Sequence, residues 1–561
     1  MPESPARRLH AIRADFRAGD EKAVLIERLT RRPPTGFAGV VRLHDDLLFL
    51  RAFPDSPRVL AAVERALARF DRVVRALGRA RYRADDSGMT GTSSRGTYAF
   101  ATAEWVDATF PGEVEIDWPA VSDDTAIDEL LRFGLQRAEE DAFDSGELST
   151  REWMALRRRE HYTTDLAWLL RLAPTRGAAR ATFARMFEAA EIPVRWRLAG
   201  SGGAATRTVL PMAQPVFRHA RRPTPADVVR HIAAPTRAVE LLSPARARAV
   251  IDIARAALAA RGREVFAIYS ANPSEVYLGD LGEGVLIAVI GVLPEHRMSL
   301  EANYGYVMLS NGVPIGYGGV TPLYRQANTG LNIFPSFRGG EAAYLWVAAL
   351  RVFRSLFRVR RFVVNAKQVG EDNAEAIASG AFWFYYRLGF RPADPATRAL
   401  AEKEFHRQDR RRRHPDADIL RRLAHGDLHL DVGRMRASDF FDERWLVECS
   451  RRATMQLAAV GPGSPAAAAR AVADRVAQAL GRVDRRRWPA DERDAFERLA
   501  PVCALLPRLS GQTDAAGQEL VTLMRAKGRP QERDFVLAAQ GDRRFYPGLI
   551  RLGAAGDRAA R

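Results

Sequence analysis

Ile333-Phe334-Pro335-Ser336-Phe337-Arg338-Gly339-Gly340-Glu341-Ala342 is the stretch of this chain best suited to chemistry. A strand-like run ends, the chain turns through an arginine and two glycines, and an apolar helix opens. Free amides in the first helical turn, glycines that let a ligand reach the backbone and the positive end of the macrodipole together make a phosphate cradle. Farther on, Phe384-Tyr385-Tyr386-Arg387-Leu388-Gly389-Phe390 sets tyrosines near the end of a second apolar helix. A tyrosine hydroxyl within hydrogen-bond reach of a leaving group can supply its proton.

The elements that must position these residues follow from periodicity. Helix 244–261 leads into strand signals at 265–269, 285–292, 304–309, 315–321 and 330–334, with Asn311-Gly312 as a hairpin turn. Helix 341–357, strand 361–367 and helix 379–388 complete an α/β unit, and the charged stretch 402–418 reads as a solvated connector. Upstream, Ser56-Pro57 starts an amphipathic helix, 97–106 reads as a strand, and helices are expected at 124–144, 150–172 and 177–190. A hairpin is expected over 194–210 around Gly200-Ser201-Gly202-Gly203. Beyond residue 418 the pattern is helical. The expected architecture is multidomain α/β: a mostly helical mixed domain at 1–241, a central mixed sheet within 242–410 and a helical domain at 411–561.

Composition narrows the class. Of 561 residues, 47% are hydrophobic and 27% charged, a globular balance that predicts several cores rather than one. No apolar run is long enough to span a bilayer and no signal peptide opens the chain, so a cytoplasmic protein without a membrane partner is expected. Cys449 and Cys503 sit in apolar stretches and read as buried thiols, and no metal-binding motif is present. The net charge of +17 favours anionic partners in general. Its arginines are spread along the chain, which weakens a specific nucleic-acid reading without removing it.

The segment 333–390 resembles the core of the GNAT superfamily, the acyl-coenzyme A-dependent N-acetyltransferases, and the resemblance extends over about 242–410. Ile333-x-Pro335-x-Phe337-Arg338-Gly339 and Gly340-x-Ala342-x-x-Leu345 match its strand end and helix start; Phe384-Tyr385-x-x-Leu388-Gly389-Phe390 matches its late helix. The resemblance implies that Arg338, Gly339, Gly340 and Ala342 hold the pyrophosphate of acetyl-coenzyme A or another acyl-coenzyme A. Ile333 and Phe334, on a strand splayed from its neighbour, would offer backbone groups to the pantetheine arm and thioester carbonyl. Tyr385 would protonate the departing thiolate. Two departures stand out. Either the loop is one residue short or, with no residue missing, Glu341 falls where a glycine is expected; and Ala378 and Ser379 stand where an asparagine usually lies.

The implied reaction is acyl transfer to an amine of unknown identity, with no metal. The competing expectation is a catalytically silent scaffold of the same fold that binds protein or nucleic acid. No carboxylate on the strand before the loop offers a general base; Glu283 and Glu301 lie upstream. His425-Gly426-Asp427-Leu428-His429 resembles the catalytic loop of aminoglycoside-type kinases, but Val432 stands where a magnesium-binding asparagine belongs.

Overall fold

The computed structural model describes residues 4–198, 202–236, 239–338, 341–411, 416–436, 439–461, 463–507, 509 and 515–559. Its strands sort into two sheets. The smaller sets β1 (Ser93–Thr97) and β2 (Val114–Ile116) antiparallel on either side of β3 (Pro193–Arg197). Trp196, Phe183 and Leu166 belong to the separate core beside it.

The larger sheet has ten strands. They are β4 (Val239–Leu241), β5 (Ala271–Gly282), β6 (Val285–Val292), β7 (Tyr304–Ser310), β8 (Val313–Leu323), β9 (Gln326–Thr329), β10 (Asn332–Ile333), β11 (Arg361–Val364), β12 (Arg391–Pro392) and β13 (Leu428–Asp431). The spatial order is β12-β13-β11-β9-β8-β7-β6-β5-β4, with β10 attached to β8 alone. The β7–β8 hairpin turns on Asn311 and Gly312, at φ 46° and 76°, as their tolerance of the left-handed region predicts. β11 runs parallel to β9. A parallel pair cannot be closed by a tight turn, and the helix Ala342–Phe357 makes the crossover.

This central helix is buried by its large side chains. Phe353 meets the Tyr306 ring at 5.1 Å and Phe357 meets Tyr304 at 4.6 Å. Val352 lies over Gly279, where a Cβ would approach it to 3.1 Å. Each buried side chain of this size contributes about 1.5–3 kcal/mol. One continuous apolar cluster joins Leu47 of the N-terminal helices, Phe353 of the central helix and Leu523 of the C-terminal helices.

The C-terminal helices also dock on a buried charge cluster. Arg297 reaches Glu275 at 3.4 Å and Glu532 at 3.8 Å, and Lys527 reaches Glu532 at 2.6 Å. The Tyr304 hydroxyl donates to Glu275 at 2.8 Å. Each carboxylate is thus opposed by a cation, the condition under which buried charge is tolerated.

The chain departs from the sequence expectations at several places, each with a tertiary cause. Segment 97–106 is mostly helix, Phe100–Thr109, because Phe100, Ala103 and Val106 share one buried helical face. Segment 265–269 is a short helix, Phe266–Tyr269, and the strand follows it as β5. Pro273 conceals that strand; a register shift between Ala271 and Val276 accommodates it. The pairing of β3 is with β1 and β2, so no hairpin spans 194–210; Gly200 and Ser201 of its expected turn lie outside the described residues. Helix 124–144 breaks into Thr125–Leu131 and Arg137–Asp144, and 150–172 into Thr150–Arg158 and Asp165–Arg171.

The expected solvated connector is largely the helix Pro395–Arg411. Its Phe405 packs on Trp383 at 6.0 Å and on Tyr386 at 5.1 Å, an apolar anchor hidden among charges in the sequence. The sheet itself takes in residues 239–241 and 428–431, one strand on each side of 242–410.

Candidate functional site

The expected strand 330–334 is interrupted. β11 follows β9 up to the pairing of Val363 with Asn328, whereas Asn332 and Ile333 pair only with Tyr317 and Gly316 of β8. The strand line therefore parts from β11 after β9, leaving backbone groups of 331 and 333 on the open side. Antiparallel alternation assigns them there: Phe334 N–H donates back to Ile315 at 3.1 Å, so its odd-numbered neighbour Ile333 faces away from β8. The Ile333 carbonyl accepts from Arg338 Nε at 3.2 Å on that side. Of the two backbone positions expected to polarise a carbonyl, Phe334 is already committed and Ile333 is the one turned outward.

The tyrosine arrives at this split. Gly380, at φ 66°, ends the helix Ala374–Ser379 and lets the helix Ala381–Arg387 start in a new direction. Tyr385 then lies with its ring 6.3 Å from Trp346 and 5.7 Å from Phe390. Its Oη accepts from Leu331 N–H at 3.4 Å. Having accepted there, the hydroxyl keeps its own proton to give. Burial pushes it up to about 12, so it stays protonated at neutral pH. Tyr306 is the contrast: its hydroxyl donates to the Gly330 carbonyl, an approach possible because residue 318 is glycine. Tyr386, one residue on, stacks on Phe382 and under Arg391 instead.

Two features narrow this site. Tyr385 is 3% exposed, and the Gln368 side chain lies against Gly330, where a Cβ would meet its Cδ at 2.6 Å. The indole Nε1 of Trp346 is buried without a partner among the described residues, a donor that a polar ligand group would satisfy.

At the amino end of the central helix, Gly339 and Gly340 lie outside the described residues. Glu341 is the N-cap residue. Its carboxylate is held by Arg218, which is 2% exposed, and accepts from Arg222 N–H at 2.8 Å. Arg218 also meets Glu283 at 3.1 Å, so this upstream carboxylate is occupied in an ion pair. Beside Glu341 a cavity of about 240 Å³ is lined by Arg13, Arg221, Arg338 and the rings of Phe16, Phe53 and Phe337. Ala342 lines it too. Arg13 pairs with Asp46 at 2.7 Å and Arg338 with Glu375 at 2.8 Å; Arg221 has no ion pair among the described residues.

Sequence reading missed Glu443. It accepts from Asn328 Nδ2 of β9 at 3.4 Å, three residues from Leu331. Partial burial, with Asp427 and Glu301 nearby, raises its carboxyl above the usual range, which suits a base for a neutralising amine. Nothing in Asp442-Glu443-Arg444 marks it; only the packing of residues beyond β13 brings it to β9. Asp427 itself accepts from Ala366 N–H at 3.0 Å and His429, in β13, pairs with Val363 of β11, so that segment is built into the sheet.

Among the described residues there is no group of three metal-binding side chains and no helix long and apolar enough to cross a membrane. No family model, curated protein or solved structure matches this chain.

Proposed function

We propose that the chain is an acyl-coenzyme A-dependent N-acyltransferase that transfers an acetyl or other acyl group to an amine. The observation that carries this reading is the Tyr385 hydroxyl on Leu331 N–H, at the point where β10 leaves β11. A split of this kind is what the GNAT resemblance leads one to expect, and it puts a proton donor beside outward-facing backbone amides.

In this reading the thioester lies along β10 and Ile333 N–H polarises its carbonyl oxygen. The amine nitrogen attacks the carbonyl carbon, the C–N bond forms and the C–S bond breaks. Glu443, directly or through water, takes the proton lost by the amine; Tyr385 gives its proton to the sulfur and recovers one from solvent. Holding both reactants at one split supplies much of the rate by proximity. The cavity of Arg13, Arg221 and Arg338 accepts the phosphates, with Phe16, Phe53 and Phe337 as an apolar wall. Gln368 must swing from Gly330 to admit the acyl end.

A second reading, a silent scaffold, is favoured by Glu341 at the helix start and by the covered Gly330. Calorimetric titration with acetyl-coenzyme A separates the two. Saturable binding, together with a fall of about 10²–10⁴ in acyl transfer for Tyr385→Phe, supports the enzyme. No binding up to millimolar ligand sinks it and leaves the scaffold.

A further inference from the structure

The carboxyl end of the central helix gathers six arginines, of which only Arg360 has an acid partner among the described residues. A cavity of about 540 Å³ opens there, lined by Arg351, Arg354, Arg358, Arg360, Arg434 and Arg436. No carboxylate lines it. Arg351 donates to the Ala234 and Pro235 carbonyls and Arg354 to those of Val359 and Val432, which fixes both as the floor. Arg360 has one acid partner, Asp439, at 3.1 Å, and that aspartate is shared with Arg325. The side chains of Arg358, Arg434 and Arg436 have no ion pair among the described residues, and all three are exposed.

A helix carboxyl end welcomes one or two cations to balance its dipole. Six exceed that need. Their mutual repulsion shows in Arg354, whose guanidinium is held below the usual range by burial and then by Arg360. Arg358 also sits at φ 52°, a left-handed helix end that glycine fills at lower strain. Counter-charge relieves such repulsion, and guanidinium forks match phosphate oxygens two at a time.

The remaining lining favours phosphate over base. It includes Thr236, Ser355 and Gly433 among small and aliphatic residues, with no aromatic ring on which a nucleobase would stack. Adjoining cavities that share Thr236 have mixed linings, Arg222, Arg351 and Asp280 in one and Arg533 and Asp534 in the other, so of the three this cavity alone is lined by arginine without acid.

The geometry points to a binding site for a compact polyphosphate anion in the arginine cavity at the carboxyl end of the central helix, separate from the split beside Tyr385. The site is independent of the acyl-transfer reading.

The test uses the full chain and inorganic tripolyphosphate, titrated calorimetrically at physiological salt. Saturable binding is expected at submillimolar ligand, with orthophosphate much weaker and ATP no tighter than tripolyphosphate. The triple variant Arg358→Gln, Arg434→Gln, Arg436→Gln should lose at least about tenfold in affinity, on the scale of one or two charge-assisted contacts. Its circular dichroism should match the unaltered protein, because the three side chains hold no other group. Absence of binding at millimolar tripolyphosphate overturns the proposal, as does binding that the triple variant retains. Capture of single-stranded RNA that tripolyphosphate cannot displace also overturns it.

Discussion

The two ends of the helix Ala342–Phe357 handle charge in opposite ways. At the amino end, where the dipole already favours anions, the protein installs its own: Glu341, held by the buried Arg218. Two of the three arginines around the adjoining cavity are likewise tied to carboxylates, Asp46 and Glu375. At the carboxyl end, where the dipole disfavours anions, six arginines gather and all but Arg360 lack an acid partner among the described residues. The amino end is therefore internally balanced, and a phosphate entering it must compete with protein carboxylates. The carboxyl end is unbalanced and recruits its counter-charge from outside. A helix dipole contributes about half a charge at each end, so a handful of guanidiniums outweighs it.

That contrast can be broken by mutation. Arg218→Met would strand Glu341 beside an apolar side chain and should cost about 3–5 kcal/mol, read from the urea midpoint. Adding Glu341→Gln should recover most of that loss. An unchanged midpoint in the single variant would mean the amino end is not self-compensated.

The Glu275–Arg297–Glu532–Lys527 cluster calibrates how much of such an effect belongs to any buried charge. Burial raises Glu275 to about 7, above its unfolded value of 4.5, against the pull of Arg297. The folded state then holds this proton more tightly than the unfolded chain. Its contribution to stability is full below about pH 4.5 and is lost as pH rises through about 7. Unfolding measured across that window should show Glu275→Gln flattening the decline, by on the order of 3 kcal/mol. Equal slopes in the two proteins would remove Glu275 as the cause.

Smaller effects sharpen the comparison. Arg358→Gly relieves the left-handed backbone and one unit of repulsion, so it should raise stability by up to about 1 kcal/mol in thermal unfolding while weakening tripolyphosphate. Stability bought at the expense of binding is the signature of a functional arginine. Arg338→Gln breaks a pair whose side chains are 57% and 64% exposed, and should move stability by less than about 1 kcal/mol. Its acetyl-coenzyme A affinity should fall all the same, and titration checks this.

Local physics made part of this protein legible. Asn311-Gly312 dictates a hairpin because both residues accept positive φ at little strain, and the apolar period of 342–357 dictates a buried helix that crosses between parallel strands. Ser56 caps its helix as its position before proline predicts. The position of Tyr385 near a helix end was readable because its spacing to Leu388-Gly389-Phe390 is set within one helix and its stop. Where the sequence misled, long-range contact was the reason. Pro273 hid β5 because a bulge, visible only in the pairing, absorbs it. Phe405 was lost among charges because its partners, Trp383 and Tyr386, lie on another helix.

Charge was the quantity least readable from sequence. The fate of Glu341 depends on Arg218, and the approach of Glu443 to Asn328 depends on the packing of chain beyond the last strand. The arginines at 351–360 and 434–436 lie far apart along the chain, and it is β13 that lays the second group beside the first. The amino-acid sequence by itself determined the hairpin, the crossover helix and the helix end that carries Tyr385, because these obey periodicity and turn chemistry over a few residues. Which charges are satisfied and which are left to face a ligand was decided by tertiary structure alone, since Coulomb energy depends on distance in space and not on separation along the chain.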